Sequence, residues 1–477
     1  MYPLRKSILS ALVCTGLVGA GLVLSPASTV SAVAATSGIS TTQTAAQNAF
    51  NRMTQAQRIG QLFMVGGPVT GLTSATTGTI SVYHVGNLIL TGRTTAGAPP
   101  ARSLTSAADS RSNTTATAGV PLFIATDQEG GYVQVLQGTG FSRMPTALAQ
   151  GTWPDSTLTS NAAVWSRQVL GAGVNVNLAP VMDTVSQSFA PHNPPIGQYY
   201  REYGYTAAAV ADKGTAFLRG MRSTGLTMTA KHFPGLGQVT GNTDVTPGVT
   251  DTVTTRSSSD ITPFHAAVNS GAQFLMVSSA FYSKIDAHNP AVFSPTIITG
   301  MIRGDLRFTG VIISDDLGNA KQVQPWSPGA RAVNFISAGG DMVLTVNPTV
   351  VPAMLNAVSA RASSNGVFRA QVNAAAMRVL TLKAAQGLLG ARLSIDGQLG
   401  PLTTTALQRW LSVAQTGQVN AVTVRALQAR IGTIVDGGWG PKSMAALQSY
   451  LGTYQDGAGT WNTRTVSLLQ MYLNTQL

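Results

Sequence analysis

Asp315 is the first of two aspartates in "ISDDL", and a second carboxylate, Asp244, follows Lys231 and His232 in "KHFPGLGQVTGNTDVTPG" (231–248). Carboxylates in separate settings are what glycoside hydrolysis uses: a nucleophile beneath the anomeric carbon and a proton donor beside the glycosidic oxygen. Asp315 falls where an apolar run stops, and a rigid strand end places a nucleophile more accurately than a loop does. Its neighbour Asp316 can cap a following helix or hold Asp315 by hydrogen bonds. Sugar hydroxyls donate and accept at once, so a sugar site draws on charged and amide groups that make paired hydrogen bonds. Asp127 in "DQEGGYVQ", Arg201 in "PIGQYYREYG", Lys231 and His232 are of suitable type, and Gly130 and Gly131 let backbone approach a ligand closely. Beside each stands a plainer role, since an aspartate after a strand is commonly a cap and a buried histidine is commonly held by a structural hydrogen bond.

The elements that must position these groups are short apolar runs. They are "GQLFMVGG" (60–67), "VGNLIL" (85–90), "PLFIATD" (121–127), "VNVNLAPVMD" (174–183), "LTMTAKHF" (226–233), "AQFLMVSSA" (272–280), "TGVIISDD" (309–316) and "GGDMVLTV" (339–346). Near-continuous apolar strands suit a parallel sheet covered on both faces. Between them, "NAAVWSRQVLGAG" and "AAAVADKGTAFLRGMRSTG" have the apolar spacing of crossover helices. Eight such strands predict an α/β fold, a (β/α)8 TIM-type barrel, whose chemistry sits where the strands end. Asp127, Asp183, Lys231 with His232, and Asp315 with Asp316 each stand at such an end. In a chain only 10% charged, that recurrence favours a shared site over scattered caps.

A second pattern begins near residue 392. "DGQLGPLTTTALQRWL" (396–411), "TGQVNAVTVRALQARI" (416–431), "DGGWGPKSMAALQSYL" (436–451) and "DGAGTWNTRTVSLLQMYL" (456–473) start at intervals of 20 residues. Each reads as a Gly-containing turn followed by a short amphipathic helix that cannot bury its apolar face alone, so stacking into a small all-α repeat domain over 392–477 is expected.

The opening residues carry Arg5 and Lys6, an apolar run from Ile8 to about Leu24, and small Ala32 and Ala34. This is the pattern of a signal peptide over 1–34, which predicts a secreted protein with no membrane span after cleavage. Cys14 is the single cysteine and falls within that leader, so disulfides and thiolate metal sites are not expected in the mature chain. Nor does any metal-spaced histidine pair appear; no metal and no organic cofactor is expected. A formal charge of +12 favours anionic polymers. Cell-wall polymers suit this better than nucleic acid, because no basic run is interleaved with aromatics.

Taken in order, "ATDQEGGYVQ", "VNVNLAPVMD", "PIGQYYREYG", "KHFPGLG", "MVSSAFY" and "GVIISDDL" resemble the motifs of glycoside hydrolase family 3, in its one-domain β-N-acetylglucosaminidase (β-N-acetylhexosaminidase) branch. The barrel segment so marked is 47–386. The resemblance implies a two-step retaining enzyme that removes terminal β-linked N-acetylglucosamine. It matches Asp315 to the nucleophile and Asp127, Arg201, Lys231 and His232 to sugar-binding positions, Arg201 only after allowing two extra residues past "PIG". In that branch the acid/base is a loop histidine polarised by an aspartate two residues before it. Asp244 matches the aspartate, but Thr246 stands in place of the histidine, and threonine is no proton donor near neutral pH. Leu236, Val135 and Ser279 depart from the pattern too. Asp244 is therefore the candidate acid/base, on condition that burial raises its pKa; Asp251, His192 and His288 are the alternatives. The C-terminal repeats resemble peptidoglycan-binding modules, best at Asp436 to Ser443.

Together these predict a secreted exo-acting enzyme on N-acetylglucosamine-containing glycans, held to peptidoglycan or anionic wall by its repeats. Two other readings stay open: a wall-binding, lectin-like protein with weak or no turnover, and an enzyme for β-glucosides or β-xylosides.

Overall fold

The computed structural model describes residues 42–389, 393 and 395–476. The leader expected over 1–34, with Cys14, lies outside the described residues, as do residues 390–392, where the repeat segment was expected to begin.

Each apolar run holds a barrel strand: β1 (Phe63–Pro68), β2 (Asn87–Thr91), β3 (Phe123–Thr126), β4 (Val176–Asn177), β5 (Thr227–Phe233), β6 (Phe274–Val277), β7 (Val311–Asp316) and β8 (Met342–Thr345). Among the described residues these eight strands close a barrel in chain order, β8 returning to β1. Every pairing is parallel, for example Met64 beside Asn87 and Phe63 beside Val343. Successive side chains point to opposite faces. Met64, Ile89, Phe123, Val176, Phe274, Ile313 and Met342 fill the interior, while Phe63, Val65, Leu88, Ile124, Ile312 and Val343 belong to the core shared with the outer helices. Burial on both faces is the physical reason the runs read as continuously apolar.

Crossover helices α1 (Asp155–Gly171) and α2 (Ala207–Arg222) lie where the apolar spacing places them. A side chain at Gly220 would meet the Thr159 carbonyl oxygen at 2.3 Å, so this glycine permits the close approach of the two helices. Helix α3 (Gly366–Ala385) closes the N-terminal end of the barrel. Its Val379 joins the interior cluster. Its buried Lys383 donates to Gln61 Oε1 at 2.8 Å, the Gly86 carbonyl at 2.9 Å and the Pro121 carbonyl at 2.8 Å, all just ahead of β1, β2 and β3. The opposite end is the one left for chemistry.

Beyond α3 come α4 (Pro401–Trp410), α5 (Ala421–Ile431), α6 (Pro441–Tyr450) and α7 (Thr463–Gln476). Leu407, Leu427, Ile431, Leu447, Leu469 and Leu473 form their own core. Each helix carries one buried glutamine that grips the turn ahead of another helix. Gln408 accepts from the Thr416 and Gly417 N–H groups at 2.8 and 3.0 Å. Gln428 donates to Asp436 Oδ1 at 2.7 Å, and Gln448 to Asp456 Oδ1 at 2.7 Å. Gln470 reaches back to the first turn, donating to Asp396 Oδ1 at 2.7 Å and accepting from Gly397 N–H at 3.0 Å. The four units therefore form a closed ring. Among the described residues no helix is long and apolar enough to cross a membrane.

Candidate active site

At the C-terminal end of the barrel, Lys231 on β5 lies 2.7 Å from Asp127 Oδ1, just past β3, and 2.6 Å from Glu129 Oε1. Glu129 belongs to a hairpin that follows β3 directly, with strands Gln128–Gly130 and Val133–Gln134. Arg201 closes on it in a two-pronged pair, Nε to Oε2 at 2.9 Å and Nη2 to Oε1 at 2.8 Å. A third donor, Nη1, goes to the Pro195 carbonyl at 2.7 Å. Burial alone would raise the Glu129 pKa; the Arg201 and Lys231 charges and hydrogen bonds overcome this and hold it at about 2. Burial likewise opposes charge on Lys231, but Asp127 and Glu129 outweigh it and raise its pKa. The result is a cradle of alternating fixed charge, with Asp127 the member most open to a ligand at 29% side-chain exposure.

Asp183, fully buried after β4, accepts from His232 Nδ1 at 2.7 Å and from the Leu236 N–H at 2.7 Å. A carboxylate on Nδ1 sets the imidazole's orientation and leaves the other ring nitrogen outside that pair.

The two aspartates that end β7 have different fates. Asp316 is buried and its carboxylate accepts from the N–H groups of Gly318 at 2.8 Å, Asn319 at 2.9 Å and Val346 at 3.0 Å. It caps the turn and ties β7 to the end of β8. Asp315 is only half-buried, and Oδ1 accepts from the Asp316 N–H at 2.8 Å. One carboxylate oxygen is thus braced while the residue stays partly open to solvent.

Asp244 sits on the loop after β5, and several anchors fix that loop. Asn193 Nδ2 donates to the carbonyls of Leu236 at 2.8 Å and Val239 at 2.9 Å. Gln322 bonds both backbone groups of Val249, accepting at 2.9 Å and donating at 3.2 Å. The Thr243 and Asp244 carbonyls each accept, at 3.1 Å, from the N–H groups of Gln322 and Lys321, in the short helix that follows β7. Asp244 is thereby hung from the segment that follows Asp315. Its side chain is exposed at the loop surface. Partial loss of hydration and then the nearby Asp315 charge push its pKa up to about 6, against the pull of His232 and Arg201; because the side chain is exposed, the burial on which its acid role is conditioned is incomplete.

The sequence over residues 54–382 matches the family described as "Glycosyl hydrolase family 3 N terminal domain". The chain belongs to glycosyl hydrolase family 3. It is similar to the beta-hexosaminidase of Stenotrophomonas maltophilia (strain K279a), 32% identical over 60% of this chain and 82% of that protein. A beta-hexosaminidase of Xylella fastidiosa (strain 9a5c) is 32% identical over 61% of this chain and 83% of its own length. Among solved structures, the beta-N-acetylhexosaminidase of Beutenbergia cavernae DSM 12333 superposes with a TM-score of 0.69 at 46% identity, covering 70% of this chain and 99% of that one. A glycoside hydrolase family 3 beta-N-acetylglucosaminidase from Paenibacillus sp. str. FPU-7 gives 0.65 at 28% identity, over 72% of this chain and 64% of that one.

Within this family 3 glycoside hydrolase, the expected site residues gather at one mouth. Asp127 and Lys231 touch, Arg201 joins them through Glu129, His232 is turned onto Asp183, and the Asp315 charge acts on the Asp244 carboxylate. Glu129 carries no strand-end signal, because it lies on the hairpin beyond β3; its mark in the sequence is a carboxylate ahead of paired glycines in "DQEGG". Asp251, an alternative acid, is taken up structurally: it accepts from the N–H groups of Val253 and Thr254, both at 2.7 Å, and from Thr254 Oγ1 at 2.6 Å. His192 and His288 are exposed in short outer elements, a 3-10 turn and an outlying strand.

Proposed function

We propose that the protein is a secreted, retaining exo-β-N-acetylglucosaminidase that removes terminal N-acetylglucosamine from cell-wall glycans or their fragments. One observation carries the mechanism: backbone hydrogen bonds hang the Asp244 loop from the short helix that follows Asp315, so a second carboxylate is held near the braced, partly open Asp315, whose charge helps raise its pKa. Divergent environments of this kind assign acid and base roles.

In the first step an Asp315 oxygen attacks C1 of the terminal sugar. The C1–O bond to the leaving group breaks, and Asp244 gives its proton to the departing oxygen. In the second step Asp244 takes a proton from water, whose oxygen attacks C1 and releases Asp315. Asp127, Lys231, Arg201 and His232 hold the sugar hydroxyls, and Glu129 keeps the two cations fixed and charged. Lys231 and Arg201 are thus held ready before substrate arrives.

The beta-hexosaminidase relatives support the choice of N-acetyl sugar. Secretion rests on the leader-like residues 1–34, and wall attachment on the basic charge and on the repeated "DG" turns of the C-terminal helices. The test is release of 4-nitrophenol from the N-acetylglucosaminide, the glucoside and the xyloside. The proposal expects turnover of the first to exceed the others at least tenfold. A silent protein that still binds N-acetylglucosamine would instead be a lectin-like wall protein, the reading that Thr246 favours. Retention of residues 42–477 on purified peptidoglycan tests attachment, and its absence would remove that part.

A further inference from the structure

Three tyrosines within a few residues of Glu129 or Arg201 stand exposed: Tyr132 at 55%, Tyr199 at 47% and Tyr200 at 48%. The Tyr132 ring lies 6.0 Å from that of Tyr199, edge-on, and 6.4 Å from that of Tyr200. Phenol rings are large apolar surfaces that proteins ordinarily cover, so three in one patch mark a surface meant for contact.

Their place in the chain ties them to the cavity. Tyr132 is at the turn of the hairpin that delivers Glu129, and Tyr199 and Tyr200 directly precede Arg201, which grips Glu129. The support beneath them is fixed. Arg93 donates to the Tyr132 carbonyl, the Tyr200 carbonyl accepts from the Leu148 N–H at 3.2 Å, and Gly131 packs so tightly that a side chain there would meet Thr146 Cγ2 at 2.5 Å. Tyr200 itself adopts a left-handed backbone, φ 54°, which turns the chain sharply between the patch and Arg201.

A pyranose has polar edges and apolar C–H faces. The charged cradle suits the edges of the terminal sugar, and exposed aromatic rings suit the face of another. Because the terminal sugar fills the inner end of an exo site, the rest of a glycan must leave past the rim. We propose that Tyr132, Tyr199 and Tyr200 form a stacking platform for a sugar ring on the leaving-group side, so that the enzyme prefers oligosaccharides to simple glycosides. This rests on the reading under Proposed function.

The test compares N,N′,N″-triacetylchitotriose with methyl β-N-acetylglucosaminide, whose leaving group is too small to reach the platform. In the full chain carrying Tyr132→Ala and Tyr199→Ala, the ratio of kcat/KM for the trisaccharide to that for the methyl glycoside falls about tenfold. The Tyr132→Phe, Tyr199→Phe pair keeps the wild-type ratio, because the rings remain. An unchanged ratio in the alanine pair overturns the platform while leaving the glycosidase reading intact. Should the alanine pair fail to fold, Tyr199→Ala alone carries the same comparison. If the wild type turns over neither sugar, the glycosidase reading falls, and calorimetry decides the platform: chitotriose must bind more tightly than N-acetylglucosamine, with that advantage lost in the tyrosine variants. Equal affinities would overturn it.

Discussion

The barrel mouth and the C-terminal helices both bury polar side chains, but to different ends. In the helices, Gln408, Gln428, Gln448 and Gln470 repeat one arrangement, each amide serving a single turn with both donor and acceptor. Such a network is satisfied within each turn and holds the helices in place. At the mouth the pattern is uneven. Glu129, Asp183 and Asp316 are engaged by several donors, whereas Asp315 keeps an open side and Asp244 is raised by its surroundings. Uniform satisfaction marks architecture, and a local departure from it marks chemistry.

The sharpest way to break this contrast is Asp315→Asn. It should lower kcat on 4-nitrophenyl β-N-acetylglucosaminide roughly 10⁴-fold with the unfolding midpoint unchanged. Activity within tenfold of wild type would place Asp315 with the architectural carboxylates.

Glu129→Gln should do the reverse, costing stability because it leaves Lys231 and Arg201 buried with a charge unmatched. A loss of about 3 kcal/mol in urea unfolding is expected. The sign of the pH effect follows from the depressed pKa. Glu129 contributes stability that is complete above its usual value of 4.5 and is lost as pH falls towards about 2. Acid titration across that window should therefore narrow the gap between wild type and Glu129→Gln; a gap constant with pH would contradict the assigned charge.

The smallest expected effect tests the ring. Gln428→Ala and Gln470→Ala each strand a turn's N–H and carboxylate and should cost about 1–2 kcal/mol, with no change in turnover of a simple glycoside. The two losses should be equal because Gln470 closes the circle. A negligible loss at Gln470 alone would mean an open stack.

Much of this was legible in the sequence because the physics is local. A strand buried on both faces must be apolar along its length, so the eight runs, and the polar residues that end them, declared the barrel and its mouth. Asp315 reads as the nucleophile and Asp316 as a cap or a brace; which of the two Asp316 is depends on N–H groups at Gly318 and Val346 that folding brings to it. Glu129 escaped because its partners, Arg201 and Lys231, are distant in the chain. The repeats showed that helices must stack. That Gln470 returns to Asp396 was not in any local pattern, because an open and a closed stack share the same repeat.

The most direct test of the division between braced and raised carboxylates is the pH profile of kcat/KM on N,N′-diacetylchitobiose, for wild type and Asp244→Ala. A general acid with a pKa of about 6 is protonated below that pH, so wild-type activity should fall as pH rises through it. Asp244→Ala should lose that limb and about 10²- to 10³-fold of kcat/KM on the disaccharide, yet little of kcat/KM on the 4-nitrophenyl glycoside, whose departure in the first step needs little protonation. Survival of the limb in Asp244→Ala, or full turnover of the disaccharide, would show that the proton comes from elsewhere.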